Sequence, residues 1–314
     1  MRILFTSVGR RVELMQAFRR AADKNGIKLE LIGADVSLTA PALYFCDKKI
    51  ATPRISDPRY IPFLISYCYE NKVDALIPTI DTDLLILANH KEEFEKTKVI
   101  ISSADSIRIC RDKNLTGAFF EGIGLKCPIP VDDYRDYKYD FPAFIKPKDG
   151  SSSINAYKVN SQEDLEAFSG IVPEYIVQPF IEGIEYTVDA FCDFDGNPLL
   201  ITPRIRLAVR SGEVLKTKIC NDKKIISEIK KILSFFKPCG PITVQLIREA
   251  KTGEDYYIEI NPRYGGGAPL SIKAGADSCE VLLKLLNGDK VEYKENAAED
   301  EAVFSRFDQS IRVC

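Results

Sequence analysis

Residues 2–6, RILFT, form an apolar, β-branched run, and after the polar turn Ser7-Val8-Gly9-Arg10-Arg11 the residues from Val12 to Phe18 carry apolar side chains at helical spacing. That pattern predicts a strand, a tight turn and a helix. A second buried strand is expected at Glu30 to Ala34, ending in Asp35. A helix through Ile61 to Tyr69, a strand at Asp74 to Pro78, a helix from Thr82 to Lys96 and a strand at Val99 to Ser102 extend the alternation. Strands alternating with helices predict a parallel, doubly wound, Rossmann-like sheet over about the first hundred residues.

The period then changes. A helix at Asp112 to Gly122 is followed by a proline-punctuated, Tyr-rich connection containing Pro128, Pro130 and Pro142. Closely spaced strands come next, at Ala143 to Pro147, Ala156 to Val159, Tyr175 to Pro179, Tyr186 to Cys192, Leu199 to Leu207 and Val214 to Ile219. One helix interrupts them, Ser161 to Phe168, opened by the capping-box spacing Ser161-x-x-Asp164. A helix at Asp222 to Phe236, strands at Ile242 to Glu249 and Asp255 to Ile260, a helix at Ser278 to Asn287 and a strand at Ala302 to Phe307 complete an α+β region.

Composition narrows the chemistry. The 314 residues carry 43 Lys+Arg against 46 Asp+Glu, for a formal net charge of −3, and this interspersed balance offers no basic field for a nucleic-acid backbone. No apolar run approaches the roughly 20 residues that span a bilayer, and no signal-peptide pattern precedes the first strand. Nine scattered cysteines without a C-x-x-C pair read as reduced thiols of a cytoplasmic protein. The single histidine, His90, falls in a charged helix and is assigned a surface role. Histidine-rich metal sites and a Ser-His-Asp triad are therefore disfavoured.

Several segments could hold a ligand. The turn at Ser7 to Arg11 places small residues at a helix N-terminus, where it is either an anion contact or a plain connection. Asp81 and Asp83 read first as caps of the following helix and second as substrate contacts. Lys146 lies on an apolar strand and needs an anion; with the Gly150-Ser151-Ser152-Ser153 loop it could cradle phosphate, although such a loop also serves as a simple turn. Beyond the strand carrying Gln178 and ending before Phe180, free backbone amides could meet a base edge, and Glu185 is either a ribose contact or a surface carboxylate. Gln245 and the alternating pair Glu259 and Asn261 lie on two strands joined by a turn at Lys251 to Asp255, which can bring three oxygen donors to one point. Such a set suits Mg²⁺ with room for phosphate oxygens. Arg263 and Gly265-Gly266-Gly267 follow directly. Arg204 and Arg206 share a strand face, with Arg210 beyond them; they either grip a substrate carboxylate or are solvated edge charges.

Taken in order, these motifs resemble the ATP-grasp superfamily, most closely its branch similar to the carbamoyl-phosphate synthetase large subunit. Arg111-Asp112-Lys113 resembles the opening of the nucleotide domain, Phe141 to Pro147 its second basic strand, Gly150 to Ser153 its phosphate loop and Gln178 to Glu185 its adenine hinge. Gln245, Glu259 and Asn261 match the metal ligands, and Arg263 the arginine at the transferring phosphoryl group. The resemblance implies a Rossmann-like domain (1–108), a first ATP-grasp part (109–187) with a lid at about 142–187, and a C-terminal part (188–314). It implies ATP and Mg²⁺, with Mn²⁺ as a substitute, and a ligase that joins a small, amino-acid-like carboxylate to an amine through an acyl phosphate. In that reaction Lys113, Lys146 and Arg263 act by position and charge. Arg204, Arg206, Arg210, Gly265 and Gly266 would build the acceptor pocket. One such unit, with no glutaminase or biotinyl segment, points to a single-unit ligase, with no membrane partner and room for a homodimer. The rival readings are a non-catalytic ATP-binding regulatory protein and, less consistent with a one-glycine turn, a nicotinamide oxidoreductase.

Overall fold

The computed structural model describes residues 1–148 and 155–313. Strand β1 (Arg2–Thr6) leads through a turn into α1 (Val12–Lys24), whose buried face of Leu14, Met15, Phe18 and Ala21 lies on the sheet. The turn bends because Ser7 and Gly9 take positive φ, 52° and 43°. Next come β2 (Glu30–Asp35), β3 (Lys48–Ala51), α2 (Tyr60–Glu70), β4 (Ala75–Pro78), α3 (Asp81–Asn89) and β5 (Lys98–Val99). The strands form a parallel sheet in the order β3-β2-β1-β4-β5, with Ile3 opposite Leu31 on one side and Ala75 on the other. Phe5 and Phe18 pack on the α1 side, while Leu4, Leu64 and Leu87 pack on the other. This is the expected doubly wound arrangement.

Three details differ from the expectation. Strand β3 has the polar sequence KKIA, because as an edge strand it buries little. The helix expected through Lys96 stops at Asn89, and His90 closes it; the His90 ring bonds Glu93 Oε1 at 2.6 Å on the surface. A separate helix α4 (Ala104–Arg111), capped by Ser103 Oγ accepting from Ser106 N, precedes α5 (Lys113–Gly122), which is capped by Asp112.

A small sheet follows, built from β6 (Ala143–Pro147), β7 (Tyr157–Val159) and β8 (Tyr175–Pro179) in the antiparallel order β7-β6-β8. Helix α6 (Gln162–Ser169) covers it. Ser161 Oγ accepts from Asp164 N, and Asp164 Oδ2 returns to Asn160 N, so the capping pair forms with its second arm one residue early.

The large sheet comprises β9 (Gly183–Cys192), β10 (Pro198–Arg210), β11 (Glu213–Ile219), β12 (Gly240–Glu249), β13 (Asp255–Asn261) and β14 (Val303–Ser305), ordered β13-β12-β9-β10-β11-β14. The expected division at residue 187 falls inside β9. Helix α7 (Lys223–Phe236) packs Ile225, Ile229, Ile232 and Leu233 on one face of this sheet. Helices α8 (Ala268–Lys273) and α9 (Ser278–Leu286) lie against α1, and Tyr264 meets Phe18 edge-on with ring centroids 6.0 Å apart. Residues of the N-terminal sheet, α1, α8 and α9 thus share one core with Phe191 and Leu200 of the large sheet. No helix among the described residues is long and apolar enough to cross a membrane.

Candidate active site

A cleft of about 750 Å³ opens between the small and large sheets and reaches the N-terminal domain. Its roof is β6 and the end of β8. Lys146 projects into it and makes no hydrogen bond among the described residues. Burial and the nearby charge of Lys113 push the Lys146 ammonium down to about 8, and Glu259 across the cleft works in the opposite direction. Lys113 also borders the space, donating from Nζ to Lys148 O at 2.8 Å. The Gly150 to Ser153 loop lies outside the described residues.

An aromatic patch lines the other end. The Phe180 and Phe144 ring centroids are 6.1 Å apart, and Lys158 Nζ stands 4.2 Å from the Phe180 centroid. Gln178, opposite Phe144 in the ladder, also borders the cleft. The Phe180 N–H, expected to be free for a base edge, donates instead to Pro142 O at 3.1 Å because the chain folds back along β6. Glu185 reaches the cleft wall with its carboxylate 3.3 Å from Arg206 Nε.

The floor is the β12–β13 pair. Gln245 faces Glu259 and Thr243 faces Asn261 in antiparallel register, so the three oxygen-bearing side chains gather at one place. Asn261 Nδ2 donates to Glu259 Oε1 at 2.9 Å, and Gln245 Oε1 accepts from Arg206 Nη1 at 2.7 Å. Among the described residues no group of three or more His, Cys, Asp or Glu gathers as a protein-only metal cage. One carboxylate and two amide oxygens, facing across the cleft an embedded lysine that has no hydrogen-bond partner among the described residues, suit a hard divalent cation sharing its coordination with phosphate oxygens. Arg263 lies next to them, donating from Nη2 to Asp81 Oδ2 at 2.6 Å and to Asn261 Oδ1 at 3.3 Å.

An ATP-grasp domain description matches residues 110–267, half of the chain, and covers the small sheet and all of the large one but its edge strand β14. The chain belongs to the ATP-grasp family. Its first 102 residues carry a second match, to a PylC-like, N-terminal domain over residues 3–102. Over 173 residues this ATP-grasp chain is 28% identical to a 3-methyl-D-ornithine–L-lysine ligase of Methanosarcina barkeri, covering 54% of this chain and 43% of the relative. It is 27% identical over 144 residues to D-alanine–D-alanine ligase B of Clostridium perfringens, covering 38% and 48% respectively. The matches thus span less than half the length of each of these curated relatives. An L-amino acid ligase structure from Bacillus licheniformis superposes with a TM-score of 0.72 at 18% identity, covering 91% of this chain and 74% of that one, which is a likeness of fold.

Of the arginines expected in the acceptor pocket, two line the ATP-grasp cleft and one does not. Arg204, 2% exposed, donates from Nε to Asp189 Oδ2 at 2.8 Å and leaves Nη1 without a partner among the described residues. Arg206 also donates from Nη2 to Gly212 O at 2.9 Å. Burial lowers its pKa against the opposing pull of Glu185. Arg210 turns to solvent and pairs with Asp308 at 3.0 Å, outside the cleft. The strand bulges on either side of Ala208, which breaks the alternation that would have put Arg210 on the face of Arg204 and Arg206. Gly265 and Gly266 border the cleft as expected.

The N-terminal domain contributes more than expected. Neither Asp81 nor Asp83 caps α3, whose N-cap residue Ile80 makes no side-chain cap bond. Asp81 holds Arg263, whereas Asp83 is buried and accepts from Thr6 Oγ1, Ser7 Oγ and Tyr60 Oη. Burial pushes the Asp83 carboxyl up, and those three donors work against the rise. Arg11, at the end of the first turn, and Glu213, opening β11, also face the cleft. Sequence signals had marked only the turn.

Proposed function

We propose that this chain is an ATP- and Mg²⁺-dependent carboxylate–amine ligase acting on a small, amino-acid-like substrate. The observation that carries the reading is the opposition across one cleft of Lys146 on β6 to Gln245, Glu259 and Asn261 on β12–β13, with Arg263 beside them. The names of the two curated relatives, both ligases of amino-acid compounds, support the substrate class.

In this reading a substrate carboxylate oxygen attacks the γ-phosphorus of ATP, ADP departs with the bridging oxygen's electron pair, and an acyl phosphate results. An amine nitrogen then attacks the acyl carbon, inorganic phosphate leaves, and the nitrogen loses a proton to give the amide. Lys113 and Lys146 hold the phosphate chain. Phe180 and Phe144 form the apolar wall for the base, Gln178 a polar contact beside it, and Glu185 the carboxylate for the ribose. Gln245, Glu259 and Asn261 hold Mg²⁺, or Mn²⁺ in its place, and the ion neutralises phosphate charge when bound. Arg263 faces the oxygens that gain charge during transfer, and Asp81 fixes its guanidinium. Such catalysis by positioning and charge needs no imidazole.

A cytoplasmic setting suits the free thiols of the described cysteines, and the reading leaves room for a homodimer. The test is ADP and phosphate release with MgATP across a panel of carboxylates paired with amines. Turnover that requires one carboxylate and one amine together is expected. Full activity in Glu259→Ala would overturn the site assignment.

A further inference from the structure

At the substrate end of the cleft the described cations are matched by carboxylates, with one exception. Arg263 has Asp81 at 2.6 Å, Arg204 has Asp189 at 2.8 Å and Arg206 has Glu185 at 3.3 Å. Arg11 has no carboxylate partner among the described residues. Its one side-chain hydrogen bond there runs from Nη2 to Thr79 O at 3.3 Å. Burial, reinforced by Arg263 and opposed by Glu213 and Asp81, pushes its pKa down to about 10, so it stays charged at neutral pH. An embedded guanidinium beside a second one calls for an anion to complete it.

The space in front of Arg11 has a second charged wall. A side chain at Gly266 would place its Cβ 3.0 Å from Arg11 Nη1 and 3.3 Å from Glu213 Oε1. The two opposite charges thus flank one bare backbone position without pairing with each other. Glu213 is held there by its other oxygen, since Oε2 accepts from Arg306 Nη1 at 3.1 Å and leaves Oε1 toward Gly266. Burial works to raise the Glu213 carboxyl, but Arg306 and the neighbouring Arg11 and Arg10 outweigh it and keep it ionised. Gly266 does not take a positive φ, so the approach of the two charged groups, rather than the backbone, is what disfavours a side chain.

We propose that Arg11 and Glu213 bind the α-carboxylate and the α-ammonium of one amino-acid substrate, with bare Gly266 as the floor between them. This rests on the ligase reading and makes the N-terminal domain part of the substrate site. A free α-amino acid carries both charges at the spacing of neighbouring atoms, whereas its C-amide lacks the anion and its N-acetyl form lacks the cation. A charge-assisted pair on each end discriminates against both analogues.

The test uses the full chain and thermal unfolding midpoints with MgADP present, adding each protein L-amino acid and its D-form, then the C-amide and N-acetyl form of any that raise the midpoint. At least one free amino acid is expected to raise the midpoint beyond MgADP alone, with no rise from its two blocked forms. Arg11→Gln and Glu213→Gln should keep the MgADP shift and weaken amino-acid binding at least about tenfold. Gly266→Ser, which fills the floor without removing a charge, should lose the amino-acid shift as well. Blocked forms that bind as well as the free acid, variants that bind like wild type, or an MgADP shift with no amino-acid shift would each overturn the proposal. If MgADP itself gives no shift in the wild type, the nucleotide reading of the cleft fails instead.

Discussion

Arg263 and Asp81 stand 182 residues apart in the chain, and their charged groups meet at 2.6 Å. The bond joins the turn after β13 to the first turn of α3, so the N-terminal domain orients the arginine that also contacts the metal-ligand candidate Asn261. Both groups are largely sheltered, with 12% and 31% side-chain exposure, which makes the pair stronger than a typical surface ion pair.

Asp81→Asn keeps the shape of this contact and removes its charge. It is expected to lower kcat for ATP-dependent ligation by about tenfold or more, the scale of one charge-assisted hydrogen bond, while leaving the KM for ATP unchanged. Steady-state ADP release over a range of ATP concentrations measures both. An unchanged kcat would show that Arg263 is held adequately without Asp81.

Glu259 is the one carboxylate among the three metal-ligand candidates, so Glu259→Gln takes away the only full negative charge in that set. Turnover should fall by about 100-fold or more, and the Mg²⁺ concentration for half-maximal rate should rise. A Mg²⁺ titration at saturating ATP reads both effects, and a wild-type titration curve would remove Glu259 from the metal site.

Lys146 predicts a proton linkage. Its pKa is near 8 without ligand, and a phosphate placed against it favours the charged form, raising that value. Between the two values, nucleotide binding must take up a proton. MgADP titrations by calorimetry at pH 8.5, in buffers of different ionisation enthalpy, should therefore show net uptake, and affinity should decline as pH rises above about 8. Lys146→Met should abolish this uptake, and uptake that persists in the variant would assign it to another group.

A stability prediction concerns the ion pair behind the cleft wall, where the Arg248 guanidinium stands 5.3 Å from the ring centroid of Tyr186. Asp255, 1% exposed at its side chain, accepts from Arg248 Nε at 2.7 Å and Nη2 at 2.9 Å, and Lys224 Nζ lies 3.1 Å away. Asp255→Ala leaves two cations facing a vacated, buried position and should cost about 3 kcal/mol in urea unfolding, within the range for one partner removed from a buried pair. A loss below about 1 kcal/mol, the scale of an exposed pair, would show that Asp222, whose Oδ2 accepts from Arg248 Nη1 at 2.6 Å, alone satisfies Arg248.

The sequence made the face of the metal-ligand candidates legible because strand periodicity is local. Alternation alone puts Glu259 and Asn261 on one side, and a short turn brings Gln245 opposite. The same rule misplaced Arg210, because a bulge is invisible in a pattern of alternating residues. Strand β3 escaped for the opposite reason: an edge strand needs little apolar surface, and Lys48-Lys49 gives none. Arg11, Asp81 and Glu213 were beyond reach as a group. Their meeting depends on α1 docking against α8 and α9 and on the Phe18–Tyr264 contact, which no local window contains.

Lys146 and Glu259 are carried by different sheets, and just three residues separate the end of β8 from the start of β9. Any excursion of the small sheet that draws β6 away from β13 returns Lys146 to water and to its ordinary value of 10.5. The ligand-free closed form then bears a penalty for holding the lysine charged, in full below pH 8 and vanishing by pH 10.5. An anion placed against Lys146, as the proposed nucleotide would place its phosphates, offsets that penalty, so filling the cleft and holding β6 near β13 are coupled through this one charge.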